Sequence, residues 1–135
     1  MDNIIKIVFS SIVSALSFAL GGFDATLQSL IIVIIIDYIT GIIKSYKNKE
    51  LSSKIGVFGI IKKVCFLFLV AIGVVVDRVT NANGLIRNFV IYYLIANEGL
   101  SILENLGNIG VPIPDPLKKA LQQLKKDNNK KVKGK

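Results

Sequence analysis

The chain has no histidine, one cysteine, three prolines and only 9 acidic residues among 135. Without histidine there is no imidazole base, no imidazole pH switch and no His-based metal site. A single cysteine, Cys65, excludes an internal disulfide framework, and its apolar neighbours read as the setting of a small buried hydrophobe. The few acids are scattered. No glycine-rich phosphate loop opens a helix and no ligand set has metal spacing, so no catalytic, metal or cofactor site is expected and the chain reads as a non-enzyme. All three prolines fall between Gly107 and Pro116, so that stretch cannot be helical throughout.

Apolar surface and positive charge are in excess. The chain is 52% hydrophobic, its mean hydropathy is +0.59, and 17 Lys+Arg give a net charge of +8. Such a balance suits nucleic acid, an anionic membrane surface, or orientation in a bilayer. Here the lysines stand beside apolar runs and at the C-terminus. No aromatic platform and no basic helix lies clear of those runs, so the expected partner is a lipid bilayer and not nucleic acid.

The apolar runs predict about four spans, near residues 4–20, 25–43, 57–76 and 85–103. The N-terminus has Lys6 as its only basic residue and no convincing cleavage site, so the first run reads as a retained helix. Asn3, Lys6, Ser10, Ser14, Ser17 and Gly21 recur at three- and four-residue steps and make a polar seam on it. Two readings stay open for that helix: a transmembrane helix whose small face packs on a neighbour, or an amphipathic helix that lies in the interface or lines a water-filled opening. Gly21 and Gly22 break it, and Asp24 is placed to cap the next. On the second run Asp37, Gly41 and Lys44 share a face. Ser52 or Ser53 can cap the third, which carries Gly56 and Gly59 near its start and Gly73 near its end. The fourth follows the turn Asn81–Gly84 and is interrupted by Asn97 and Glu98. After the prolines, Leu117, Leu121 and Leu124 oppose Lys118, Lys119, Lys125 and Lys126, which predicts a short amphipathic helix and then a solvated basic tail. The expected fold is therefore an all-α integral membrane protein: a helical membrane domain over 1–106, then a proline-containing turn, short helix and cytoplasmic tail over 107–135.

Lysine placement sets the expected orientation. Loop 44–54 and the C-terminal tail are both basic, and an even number of spans separates them, so both can be cytoplasmic. In that arrangement Asp37, Lys62, Lys63 and Glu98 fall in one layer about 8–10 Å inside the cytoplasmic ends of their helices. A charge in hydrocarbon needs a partner or water. Asp37 is expected on Lys62 or Lys63, and Glu98 on the other lysine or on a neighbouring subunit; snorkelling accounts for either lysine alone but poorly for the short acids. Asp77, Arg78 and Arg87 form a second cluster near the outer surface, most of which interfacial anchoring explains. The small residues Ser10, Ser14, Ser17, Gly21, Gly41, Gly56 and Gly59 mark faces for helix packing or pore lining.

Two blocks resemble a known family. Asp37-Tyr38-Ile39-Thr40-Gly41, followed by the run from Ser52 to Lys63 (SSKIGVFGIIKK), is one. Asn97 to Asn105 (NEGLSILEN), then Gly110-Val111-Pro112-Ile113-Pro114 and Leu117, is the other. In order and spacing they are similar to the phage holin family that includes the holin-like proteins of clostridial toxin loci, over roughly Leu30 to Leu124. The resemblance implies a small host-membrane protein that forms homo-oligomers and opens the bacterial cytoplasmic membrane at a set time, so that an endolysin or a toxin leaves the cell. It implies no particular number of spans. Two other classes fit the residues alone: a small ion-conducting channel or transporter with Asp37 and Glu98 along its path, and a non-conducting membrane scaffold whose basic tail recruits lipid or protein.

Overall fold

The computed structural model describes residues 1–133, which form five α-helices and no strand. They are α1 (Asp2–Ala19), α2 (Ala25–Lys47), α3 (Ser53–Thr80), α4 (Leu85–Ile109) and α5 (Asp115–Lys133). Local chemistry sets the breaks. Gly21 and Gly22 take φ of +81° and +103°, and the Asp24 carboxylate accepts the Leu27 N–H at 2.9 Å to start α2. Ser52 stands at the N-cap of α3, but its side chain makes no capping bond. Asn81, Asn83 and Gly84 are all left-handed between α3 and α4, as the Asn-Gly turn requires. The helices run past the predicted spans at most ends, and α5 continues through the stretch expected to be a solvated tail. The last two tail residues, Gly134 and Lys135, lie outside the described residues.

α4 is the centre of the bundle. It packs against α2, α3 and α5, while α2 and α3 touch each other little. Leu27 and Leu30 of α2, Val70 of α3, and Ile91 and Leu94 of α4 form the buried apolar core. Gly73 lets α3 come close: a Cβ there would stand 3.1 Å from the Arg87 Cα. At the other end of the bundle the Lys47 ammonium donates to the Asn108 carbonyl at 2.5 Å, tying the C-termini of α2 and α4.

Outside this core the surface is oily. Ile32, Ile35 and Ile39 of α2 and Phe58, Phe68 and Ile72 of α3 are exposed, a surface that hydrocarbon solvates and water does not. Three helices, α1, α2 and α3, are long and apolar enough to cross a membrane. That is one fewer than the four spans the apolar runs predict. α4 falls short because it carries Arg87, Glu98 and Asn105, and the reason it can carry them is that all three are buried among its neighbours. α1 is the opposite case. None of its residues is buried, and it meets the bundle only near its C-terminal end.

Candidate functional site

Two polar clusters lie at different levels of the α2–α3–α4 bundle, one near the middle of its helices and one at the end where α3 turns into α4. The first is an ion triad. Asp37 of α2, Lys63 of α3 and Glu98 of α4 each face the bundle axis, and the Lys63 ammonium donates to Asp37 Oδ2 at 2.5 Å and to Glu98 Oε2 at 2.7 Å. Glu98 is 3% exposed and Asp37 8%. One cation thus serves two carboxylates, one from each flanking helix. Lys62, the alternative partner, points away and is exposed, and it makes no ion pair among the described residues.

Neighbouring polar groups complete the Asp37 side. Asn105 donates from Nδ2 to Asp37 Oδ1 at 3.1 Å and to Thr40 Oγ1 at 3.0 Å. Both Asn105 and Thr40 are buried. Their spacing carries the signal: Thr40 follows Asp37 by three residues, and Asn105 follows Glu98 by seven, so each rides on its acid's helical face. Both stand inside the two motif blocks, with no role assigned to them from sequence. The small residues near this layer are close-approach sites. Tyr38 lies over Gly56 and Gly59 and donates to the Gly56 carbonyl at 3.3 Å, and Asn105 lies against Gly41. A cavity of about 240 Å³ runs from Leu51 and Ser52, on the α2–α3 connection, to Asp37, Lys63, Ser101 and Asn105. The charged layer is therefore open to small molecules from the end where the basic loop lies.

The second cluster is built differently. Asp77, at the end of α3, accepts the Ile86 and Arg87 N–H groups at 2.8 and 2.9 Å and so caps α4. Arg87 is 5% exposed. Its guanidinium donates to the Leu20 carbonyl at 2.6 Å, the Gly22 carbonyl at 2.9 Å and both Asp24 oxygens at 2.8 and 3.0 Å. Gly21 has to be glycine here, because a Cβ would fall 2.7 Å from Arg87 Nε. The hydrogen bonds from Arg87 hold the Asp24 carboxyl below its ordinary value. Arg78 is exposed, stacks 4.0 Å over the Phe18 ring and donates to the Phe18 carbonyl at 2.7 Å. Of the three charges expected to anchor at the interface, Arg78 alone is exposed; Asp77 and Arg87 are buried joints between helices. Asp24, read from sequence as a cap, belongs to this cluster too. Of the seam on α1, Ser10 and Ser14 are exposed, and Ser14, Ser17 and Gly21 border an apolar cleft of about 840 Å³ between α1 and the bundle.

The sequence pattern of the bacteriophage holin family matches residues 14–126. The chain belongs to that family. A probable holin of Bacillus phage phi105 is 39% identical over 106 residues, which cover 78% of each chain. An uncharacterized 14.9 kDa protein from the nagH 3′ region of Clostridium perfringens is 44% identical over 135 residues, 97% of this chain and all of the relative. The Bacillus subtilis protein YqxH is 42% identical over 101 residues, 75% of this chain and 72% of its own. No solved structure matches. In this chain the matched region contains the ion triad and the arginine cluster and leaves out the first two-thirds of α1. Holins are not a family of enzymes. The family and the three apolar helices make the protein a membrane protein.

Proposed function

We propose that this holin accumulates in the bacterial cytoplasmic membrane, oligomerises, and permeabilises it at a set time so that an endolysin, or in a toxin locus a toxin, can leave the cell. The observation that carries the reading is the family match across 14–126, which takes in every residue of the ion triad. The membrane fold is four-span, with α4 carried across by its neighbours: α2 and α3 cover its charges and lend it the lipid-facing surface it lacks. Loop 44–54 and the C-terminal segment face the cytoplasm, following the lysines. The seam of Ser10, Ser14 and Ser17 on α1 then packs between subunits, where small side chains let helices approach.

The triad is the switch of this proposal. Its contacts join side chains on three different helices, so subunits that meet in the membrane can exchange partners without unfolding a helix. Asp37→Asn weakens the intrasubunit arrangement and shifts the time of lysis; unchanged timing together with unchanged oligomer size would sink the idea.

Liposomes loaded with size-graded dextrans test the function itself. Release of protein-sized dextran is the expected result. Release of ions alone favours a second reading, a small channel or transporter along Asp37 and Glu98, which the cavity of about 240 Å³ reaching Asp37 and Lys63 makes physically reasonable. No release at any protein density leaves the scaffold.

A further inference from the structure

α5 does not trail away from the bundle. Gly110, at φ +105°, ends α4, and the chain turns back through Pro112 and Pro114. α5 then runs antiparallel along α4. The Leu121 side chain comes within 3.0 Å of where a Cβ on Gly99 would stand, and the Lys125 ammonium donates to Asn97 Oδ1 at 3.2 Å. Asn97 and Gly99 flank Glu98, so the middle of α5 lies level with the ion triad. The helix continues eight residues past Lys125 to Lys133, about 12 Å further toward the other end of α4.

The face of α5 turned away from α4 is exposed and polar. It carries Lys119, Gln122, Gln123, Lys126, Asp127 and Lys130, three lysines against one acid, and Gln123 donates to that acid at 2.8 Å. Hydrocarbon does not solvate such a row at the depth of a buried ion triad, and side chains near the middle of the row are too far from either helix end for all of them to snorkel out. The opposite side of the bundle is the reverse: α2 and α3 present isoleucine and phenylalanine outward. The bundle therefore has one side made for lipid and one made for water.

We infer that α5, docked on α4, is the water-facing wall of the opening that copies of this chain form, and that this cationic wall makes the opening prefer anions. The inference rests on the permeabilising function proposed above and adds which surface lines the opening. Water there is continuous with the cytoplasm, so the C-terminal segment reaches its position without crossing lipid. The polar seam of α1 is left for contacts between subunits.

The test is current through planar bilayers under a potassium chloride gradient. Salt is kept near 0.01 M, where screening extends about 30 Å and even a wide opening feels its wall. Wild-type protein is expected to reverse on the anion side, with an anion-to-cation permeability ratio above one. Lys119→Glu with Lys126→Glu is expected to bring the ratio below one. Asn97→Cys with Lys125→Cys, in a Cys65→Ser background, is then bridged by a reductant-cleavable bismaleimide that ties α5 to α4. The bridged protein is expected to conduct with the same preference. Current that appears only after reductant overturns the inference, because α5 would have to leave α4 first. A wild-type ratio of one or less, or charge reversal without effect, overturns it as well. Absence of any wild-type current instead defeats the permeabilising function and the inference with it.

Discussion

The ion triad and the arginine cluster are both buried and both join helices, yet they are made of different bonds. In the triad every strong contact runs from side chain to side chain, across α2, α3 and α4. In the arginine cluster the charges hold main chain: Asp77 takes two N–H groups, and Arg87 reaches two carbonyls besides Asp24. A side-chain pair can be replaced by an equivalent pair from another subunit. A main-chain clamp cannot, because its partners exist only while that turn keeps its shape. For the proposed switch, the triad is the exchangeable element and the arginine cluster the fixed joint.

The most damaging way to break the comparison is Lys63→Met. It removes the cation and leaves Asp37 and Glu98 buried with no counter-charge, an effect of about 3–5 kcal/mol for removing one partner of a buried ion pair. Thermal unfolding in mild detergent measures it. Adding Asp37→Asn and Glu98→Gln to Lys63→Met should recover most of that loss, since no charge remains to be solvated. If the triple variant is as unstable as the single, the triad stabilises by shape and not by charge.

Arg87→Lys comes next, at about 1–3 kcal/mol. A lysine keeps the charge but has no planar fork to hold the Leu20 and Gly22 carbonyls and Asp24 together, so buried acceptors lose their donors. The turn between α1 and α2 should become sensitive to protease, while the triad level keeps its protection in hydrogen exchange. Equal loss of protection at both levels would mean that the two clusters are one cooperative unit.

The helices, their breaks and the common level of Asp37, Lys63 and Glu98 were legible in sequence, because each follows from spacing along one helix. That level lies ten or eleven residues from the helix ends, about 15 Å and not the expected 8–10 Å, because the helices run past the apolar runs. Asp37, Lys63 and Glu98 stand at similar distances from helix ends that glycine, serine and proline mark plainly. The role of Arg87 was not legible. Its acceptors are carbonyls, freed for it by the left-handed Gly21 and Gly22, and no residue type announces a free carbonyl. The centrality of α4 was hidden for a related reason. Its buried polar residues lower its hydropathy, so the helix most deeply enclosed by others looks less suited to lipid than α1, α2 or α3. Docking of α5 turns on Gly99, a single glycine whose neighbour in space, Leu121, is set by the angle of the proline turn.

Acid should separate the clusters more gently. The carboxyl of Asp24 titrates below its ordinary 3.8 because Arg87 hydrogen-bonds its charged form. The stability it adds is therefore fully present above pH 3.8 and is lost as pH falls through the lowered value. The Asp24 side chain is half exposed, so the effect is small. Protease sensitivity of the α1–α2 turn should rise below that pH in the wild type. In Asp24→Asn it should already be raised at neutral pH and change little with acid.

The smallest expected effect tests the register of α3. Lys62 and Lys63 are adjacent, but successive side chains on a helix point about 100° apart. Lys63 enters the space between α2 and α4, and Lys62 is exposed on another face. Nothing local distinguishes them; the rotation of α3 against its neighbours does, and that rotation is fixed by Gly73 against Arg87 and by Tyr38 over Gly56 and Gly59. Lys62→Met should therefore change stability by no more than about 0.5 kcal/mol, the range of a surface substitution, against several for Lys63→Met in the same assay. Equal losses would mean that each lysine serves one acid, and the picture of one cation between two carboxylates would give way to two separate pairs.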